Sequence, residues 1–254
     1  MEHILACIDA SPYANSVCDL AAWASRRLSL PVELLHVVQR RSAVAARQDL
    51  SGAIGFGVKT NLMEELVRIE ESEAKLQVER GRVLLEGAEQ RLHEFGVAEV
   101  RPLHRHGGIV ETILEREVDA RIVVMGKRGA SHEFATDHIG SKIERVVRAS
   151  DRPILIASRK VEEPRAIVFA YDASGAANRA LERLRNSPLF DGLPVHLVMA
   201  GKHDDAHRKP LEEAAGQLRS SREVRVTLQN GKAETVIAEA VTQTPGALLV
   251  MGAY

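Results

Sequence analysis

The sequence predicts an α/β protein built from two doubly wound parallel sheets in tandem. Three observations carry that prediction. The chain repeats itself at a fixed offset. Its apolar runs are short and continuous, as expected of parallel strands covered on both faces. Helical patterns alternate with those runs, as right-handed crossovers require. At 254 residues there is room for two domains, each with its own core.

The repeat is legible residue by residue. ILACIDASPYANSVC at 4–18 lies over IVFAYDASGAANRAL at 167–181 with a constant offset of 163, so Asp9-Ala10-Ser11 meets Asp172-Ala173-Ser174 and Ala14-Asn15 meets Ala177-Asn178. The same offset carries PVELLHV at 31–37 onto PVHLVMA at 194–200. At a smaller offset, Glu111-Thr112-Ile113-Leu114 matches Glu234-Thr235-Val236-Ile237, and RIVVMG ending at Gly126 matches ALLVMG ending at Gly252. Conserved order with such register marks a duplication. The domains are expected at 1–160 and 161–254, the first carrying an extra segment at about 40–95.

In the first half, strands are expected at 3–9, 31–38, 98–105, 121–126 and near 153–158, because ILACI, VELLHVV and RIVVM are apolar without alternation. Helices are expected at 14–28, 61–95, 109–117 and near 141–149. In the extra segment, Leu62, Leu66, Ile69, Leu76, Val83 and Leu84 form an amphipathic stripe, and the Glu, Arg and Lys residues form a solvated face. SGAIGFG at 51–57 precedes the helix start expected at Thr60-Asn61. It reads either as a phosphate cradle or as a lid or linker, and the absence of a strand feeding it favours the second.

Composition excludes several classes. Net charge is −1 and aromatics are 4% of the chain, scattered, so there is no basic stripe or stacking platform for nucleic acid. The strand-like HILACIDAS begins at residue 3 and no apolar run reaches membrane-spanning length, so neither a leader nor a membrane partner is expected, and the location expected is cytoplasmic. Cys7 and Cys18 each stand without a second Cys beside them and read as buried thiols.

The chemistry concentrates at 123–142. VVM runs into Gly126, Lys127, Arg128 and Gly129, and after Gly140 a helical pattern starts at Ser141-Lys142. Strand, glycine loop and helix start in that order suit a phosphate: glycines admit backbone N–H groups close to an anion, and the helix N-terminus adds partial positive charge. Lys127, Arg128 and Lys142 supply full charges. Gly-Lys-Ser/Thr and Gly-x-Gly-x-x-Gly patterns are both missing here. Ligands of doubly wound sheets bind beyond the strand carboxyl ends where strand order reverses, and Asp9, Val37 and Gly126 all close strands. Asp9 has a second reading, in which it caps the following turn together with Ser11 and Pro12.

Other clusters are weaker. His104 and His106 share a strand face, either as a metal pair lacking a third ligand or as partly exposed strand-end histidines. His132 and His138 lie in the glycine loop and read as shaping it or touching phosphate. No nucleophile–base pair or His-Glu-x-x-His is present; Glu133 and Asp137 are the residues able to orient a water against a phosphate.

DAS closing the first strand, LLHV closing the second and MGKRG…GS after the fourth resemble the universal stress protein family in a tandem two-domain form, over essentially the whole chain. The resemblance implies a flavodoxin-like fold and, through the family's Gly-x2-Gly-x9-Gly-Ser/Thr pattern, an adenine nucleotide. It places Asp9, with Ala10 and Ser11, near the adenine and ribose, the Val37 backbone on the adenine edge, Met125 beside base and sugar, and Gly126, Gly129, Gly140 and Ser141 around the phosphates. Here ten residues, 130–139, separate Gly129 from Gly140, and Ile143 stands where a second hydroxyl is common. The second half keeps Asp172 but reaches Gly252-Ala253-Tyr254 without a following Gly-Ser, so this sheet is expected to be incomplete as supplied and further residues are expected after Tyr254.

The resulting expectation is a stress-response protein that binds ATP, or ADP or AMP, with or without Mg2+, in its first domain and signals occupancy to protein partners, a second copy of itself among them. Two alternatives remain open from the sequence: a slow ATPase of the same fold, and a dimerising module that binds no nucleotide.

Overall fold

The computed structural model describes residues 1–38, 56–129 and 141–253, with the backbone alone for 56–64. The chain divides into two compact units, Met1–Val161 and Glu162–Tyr254.

The first unit runs β1 (His3–Ile8), α1 (Ala14–Leu28), β2 (Val32–Val38), α2 (Phe56–Glu94), β3 (Val100–His106), α3 (Ile109–Arg116), a 3-10 turn (Glu117–Asp119), β4 (Ala120–Gly126), α4 (Ser141–Ala149) and β5 (Ile154–Ala157). Its five strands are parallel in the order β3-β2-β1-β4-β5. Most residues of β1, β2 and β4 are buried, in unbroken runs, which is why their sequences do not alternate: helices cover both faces. Strand order reverses between β1 and β4, with Cys7 opposite Met125, so the crevice predicted from the sequence opens beyond Ile8 and Gly126. The buried Cys18 thiol is pushed up to about 12 and the Cys7 thiol higher still, chiefly by desolvation, so neither carries a reactive thiolate near neutrality.

Helix α2 starts at Phe56, four residues before the start expected at Thr60, and so takes in the end of SGAIGFG; residues 51–55 lie outside the described residues. Its second half is the part that attaches to the sheet. Gly81, Leu85, Ala88 and Leu92 share one face and are buried. Arg91 forms a two-pronged ion pair with Asp19 of α1, Nε to Oδ1 at 2.7 Å and Nη2 to Oδ2 at 2.9 Å. The stripe read from the sequence therefore needs correction. Ile69, Leu76 and Val83 are 49%, 49% and 56% exposed, because helical periodicity turns them away from the attached face.

Beneath α2 lie the imidazoles of His36 and His104, with exposed His106 beside them. His36 pairs with His104 across β2 and β3, and the His104 ring lies between those of His36 and His106 at centroid separations of 5.3 and 5.5 Å. A Cβ on Gly81 would come within 2.6 Å of the His104 ring, so glycine lets the helix settle on the histidines. His104 Nε2 is buried without a hydrogen-bond partner. Among the described residues no three His, Cys, Asp or Glu side chains are arranged to hold a metal, and the trio packs as a stack.

The second unit runs β6 (Ala166–Ala170), α5 (Gly175–Asn186), a 3-10 turn (Pro188–Phe190), β7 (Val195–Ala200), α6 (Asp205–Arg219), β8 (Val224–Gln229), α7 (Ala233–Thr242) and β9 (Ala247–Met251). Its strands are parallel in the order β8-β7-β6-β9, the first unit's order over four strands. No helix among the described residues is long and apolar enough to cross a membrane.

Desolvation, with His36 and His106 nearby, holds the His104 imidazole below its ordinary value. A depressed imidazole means that the unfolded chain takes the proton first, so its contribution to stability is intact above about pH 6.5 and is lost as pH falls through the folded value. Trp23, the single tryptophan, is 1% exposed on α1 and reports the first unit alone. Its fluorescence midpoint in urea should fall between pH 7.5 and pH 5.5, and His104→Gln should flatten that fall; an unchanged slope in the variant would contradict the assignment.

Candidate functional site

At the carboxyl edge of the first sheet, the turn after β1 and the loop after β4 meet through two glycines on the β4 side, Gly126 and Gly129. Asp9 Oδ1 accepts the Ser11 N–H at 3.1 Å, and Ser11 Oγ accepts the Tyr13 N–H at 3.3 Å, which folds DASPY into a tight entry to α1. Ser11 is 8% exposed and so belongs to this turn. Asp9 Oδ2 sits under Gly129, where a Cβ would lie 2.9 Å from it. Tyr13 sits under Gly126, where a Cβ would lie 2.6 Å from the Tyr13 Cβ. Both glycines are thus fixed by close approach, and Asp9 both shapes its turn and underlies the loop.

The second unit repeats this contact. Asp172 accepts the Ser174 N–H at 2.9 Å; hydrogen bonding from Ser174, its side chain first and its backbone N–H after, holds the carboxyl below the ordinary range, and a Cβ on Gly252 would lie 2.5 Å from Ala177 N and 3.0 Å from the Ala176 Cβ. Ala176 is the repeat partner of Tyr13, so the duplication extends to the packing. The halves differ in detail. Tyr171 donates its hydroxyl to Asn178 Oδ1 at 2.6 Å, whereas the matching residue of the first unit is the aliphatic Ile8.

Other predicted residues take definite places. β1 ends at Ile8 opposite His36, and β2 continues through Val37 and Val38, both paired with β3, so Val37 overhangs the crevice. Met125, 6% exposed, belongs to the core cluster with Leu35, Val123 and Ile143, against which Cys7 and Val37 also pack. Ala10 and Lys127 are exposed; Arg128 and Lys142 are half-buried. The Lys127 N–H donates to Ala157 O at 2.8 Å, extending the β4–β5 ladder, so that amide is spent on the sheet and Lys127 offers an anion its ammonium. Ser141 is the first residue of α4, and Ile143 and Val146 seat that helix on the core. Because β5 begins at Ile154 opposite Val123, α4 finishes at the amino edge of the sheet and opens at the carboxyl edge. Gly140, His132, Glu133, Asp137 and His138 lie outside the described residues.

Two neighbours escaped sequence reasoning. Tyr13 fills the space under Gly126. His36 brings Nδ1 to 3.0 Å from Ile8 O, closing the β1–β2 side of the mouth. Tyr13 was legible in principle, since the repeat sets it against Ala176; His36 had no signal, because LLHV reads as an ordinary strand.

The universal stress protein family model matches residues 1–158. The chain belongs to the universal stress protein family. It is 30% identical over 264 residues to the universal stress protein Slr1230 of Synechocystis sp., covering 100% of this chain and 90% of that one. Among solved structures, a universal stress protein from Archaeoglobus fulgidus DSM 4304 superposes over 98% of this chain and 86% of its own with a TM-score of 0.67 at 20% identity, a likeness of fold. A universal stress protein solved in complex with cAMP aligns over 63% of this chain and 98% of its own, at 17% identity and a TM-score of 0.40; the cyclic nucleotide belongs to that protein. Both units of the present chain carry the family's α/β arrangement, in tandem.

Gly126→Ala should destabilise the first unit by about 1–3 kcal/mol, because the new methyl meets Tyr13 and the strand end cannot retreat without breaking the Lys127–Ala157 hydrogen bond. Urea unfolding followed by Trp23 measures it. Tyr13→Gly in the same chain should recover part of the loss, and no recovery would show that the contact is not the cause.

Proposed function

We propose that the first unit binds an adenine nucleotide, ATP or else ADP or AMP, in the crevice between β1 and β4. In this reading the protein is a stress-response module whose nucleotide occupancy is read by protein partners. The observation that carries the reading is the seating of Gly129 on the Asp9 carboxylate, at the one point in the sheet where strand order reverses. Glycine at 126 and 129 leaves the backbone uncovered on the crevice side, the N-terminus of α4 opens toward the same edge, and Lys127, Arg128 and Lys142 supply positive charge. Phosphates suit that set, and a neutral ligand does not.

Each part then has a task. Asp9 accepts hydrogen bonds from ribose hydroxyls, the Val37 backbone meets the adenine edge, Met125 floors the base side, and Gly126, Gly129, Gly140 and Ser141 surround the phosphates, with Ser141 donating its hydroxyl to a phosphate oxygen. Mg2+ would arrive on the phosphates, since the described residues hold no ready-made cage for it. Binding, with little or no turnover, is the reading supported, and a cytoplasmic location goes with it.

Small molecules released from the purified, denatured protein and identified by mass spectrometry should include an adenine nucleotide, and titration calorimetry with ATP and Mg2+ should show one site per chain. Asp9→Ala should weaken binding about 10- to 100-fold, the range for losing a charge-assisted hydrogen bond. Gly129→Val should weaken it at least as much by displacing Asp9. Full-affinity binding in both variants would sink the proposal, as would finding no nucleotide together with no thermal shift on adding ATP and Mg2+.

A further inference from the structure

The outward face of α2 has no task in the nucleotide site. From Glu65 to Arg80 almost every residue is exposed, so this part of the helix stands clear of the packed unit. Attachment begins at Gly81 and continues through Leu85, Ala88 and Leu92. Leu76 is nine residues from Leu85, about two and a half turns, and so points the opposite way. Ile69, Leu76 and Val83 follow one another at seven-residue spacing along that outward side, at 49%, 49% and 56% exposure. A seven-residue apolar repeat on the free side of a helix is the pattern of a helix–helix seam. Three aliphatic side chains in line on water are also costly to leave uncovered.

The charges beside the seam say what covers it. Glu73 and Arg80 flank it on the same side, one three residues before Leu76 and the other four after. Among the described residues neither has an ion-pair partner, whereas Arg82 is engaged by both Glu79 and Glu86 of its own helix. We propose that this face pairs antiparallel with the same face of a second copy of the chain, about a twofold axis at Leu76. That axis stacks Leu76 on Leu76 of the second copy and Ile69 on Val83 of the second copy. It also brings Glu73 of each chain beside Arg80 of the other, twice by symmetry. On the opposite flank, Arg68 of one chain comes level with Glu86 of the other. A parallel pair would instead bring Arg80 of one chain beside Lys75 of the other, two like charges. The antiparallel pattern is self-complementary, twice over by symmetry, which suits a partner identical to the chain itself. The inference rests on none of the nucleotide-site geometry.

Three apolar layers make a short seam, so association should be reversible, on the order of tens of micromolar. Sedimentation velocity on the full chain from about 1 to about 500 μM should show a monomer–dimer equilibrium. Leu76→Glu should leave only monomer. Glu73→Arg and Arg80→Glu should each weaken the dimer by about tenfold or more, and the two together in one chain should bring it back to within a few-fold of the original. Leu76→Cys under mild oxidation should yield a covalent dimer, because both native thiols are held protonated near neutrality, Cys18 buried and Cys7 half-buried. The substituted side chains are exposed, so the Trp23 urea midpoint should not move. Monomer at every concentration, a dimer indifferent to Leu76→Glu, or a double charge swap that fails to restore pairing would each overturn the proposal.

Discussion

How near the end of β4 can come to the turn after β1 decides the shape of the mouth of the first sheet. Parallel strands on either side of a reversal in strand order leave a gap at their carboxyl ends, because the connections leave in opposite directions. Gly126 and Gly129 let the second edge of that gap descend onto Tyr13 and Asp9: a Cβ at 126 would run into the Tyr13 Cβ, and one at 129 would push the Asp9 carboxylate aside. The turn is rigid because Asp9, Ser11 and Tyr13 are linked by hydrogen bonds, and Ser16 ties the start of α1 to Arg159 O beyond β5 at 3.0 Å. What results is a shallow floor of backbone and one carboxylate, open on the side from which α4 presents its N-terminus. The recurrence of the contact at Gly252 and Ala176 shows that it is a property of the repeat.

The turn hydrogen bond and the loop contact of Asp9 fall on different oxygens. Oδ1 organises the turn, as the capping reading expects, while Oδ2 lies under the loop glycine. The second unit keeps the first use in Asp172 and closes its turn further through Tyr171 and Asn178. One motif copied twice has therefore kept its folding role in both units, and the surroundings decide whether a ligand role is built on it.

Most of the fold was legible because its signals are local and redundant. Continuous apolar strands, alternating helices and an ungapped offset all gave one topology, and predicted boundaries in the first unit agree with the observed elements to within a few residues. The site was legible at the level of which strand ends converge, since that follows from topology alone. Other features depend on register between distant segments. The loss of the Lys127 amide to Ala157 comes from how far β5 pairs along β4. The outward turn of Ile69, Leu76 and Val83 depends on which face of a long helix the sheet selects. Apolar periodicity shows that a helix has stripes; it does not say which one meets the core. Here Gly81 decided it, by admitting His104 and His36 against one side.

Hydrogen–deuterium exchange on the full chain, with and without ATP and Mg2+, tests the central claim most directly, because it reads backbone amides at the mouth of the sheet. Added protection confined to the turn at 9–16, the glycines at 126–129 and the first turn of α4 at 141–145, with the second unit unchanged, is the predicted result. Exchange that does not change in those three segments would contradict the account.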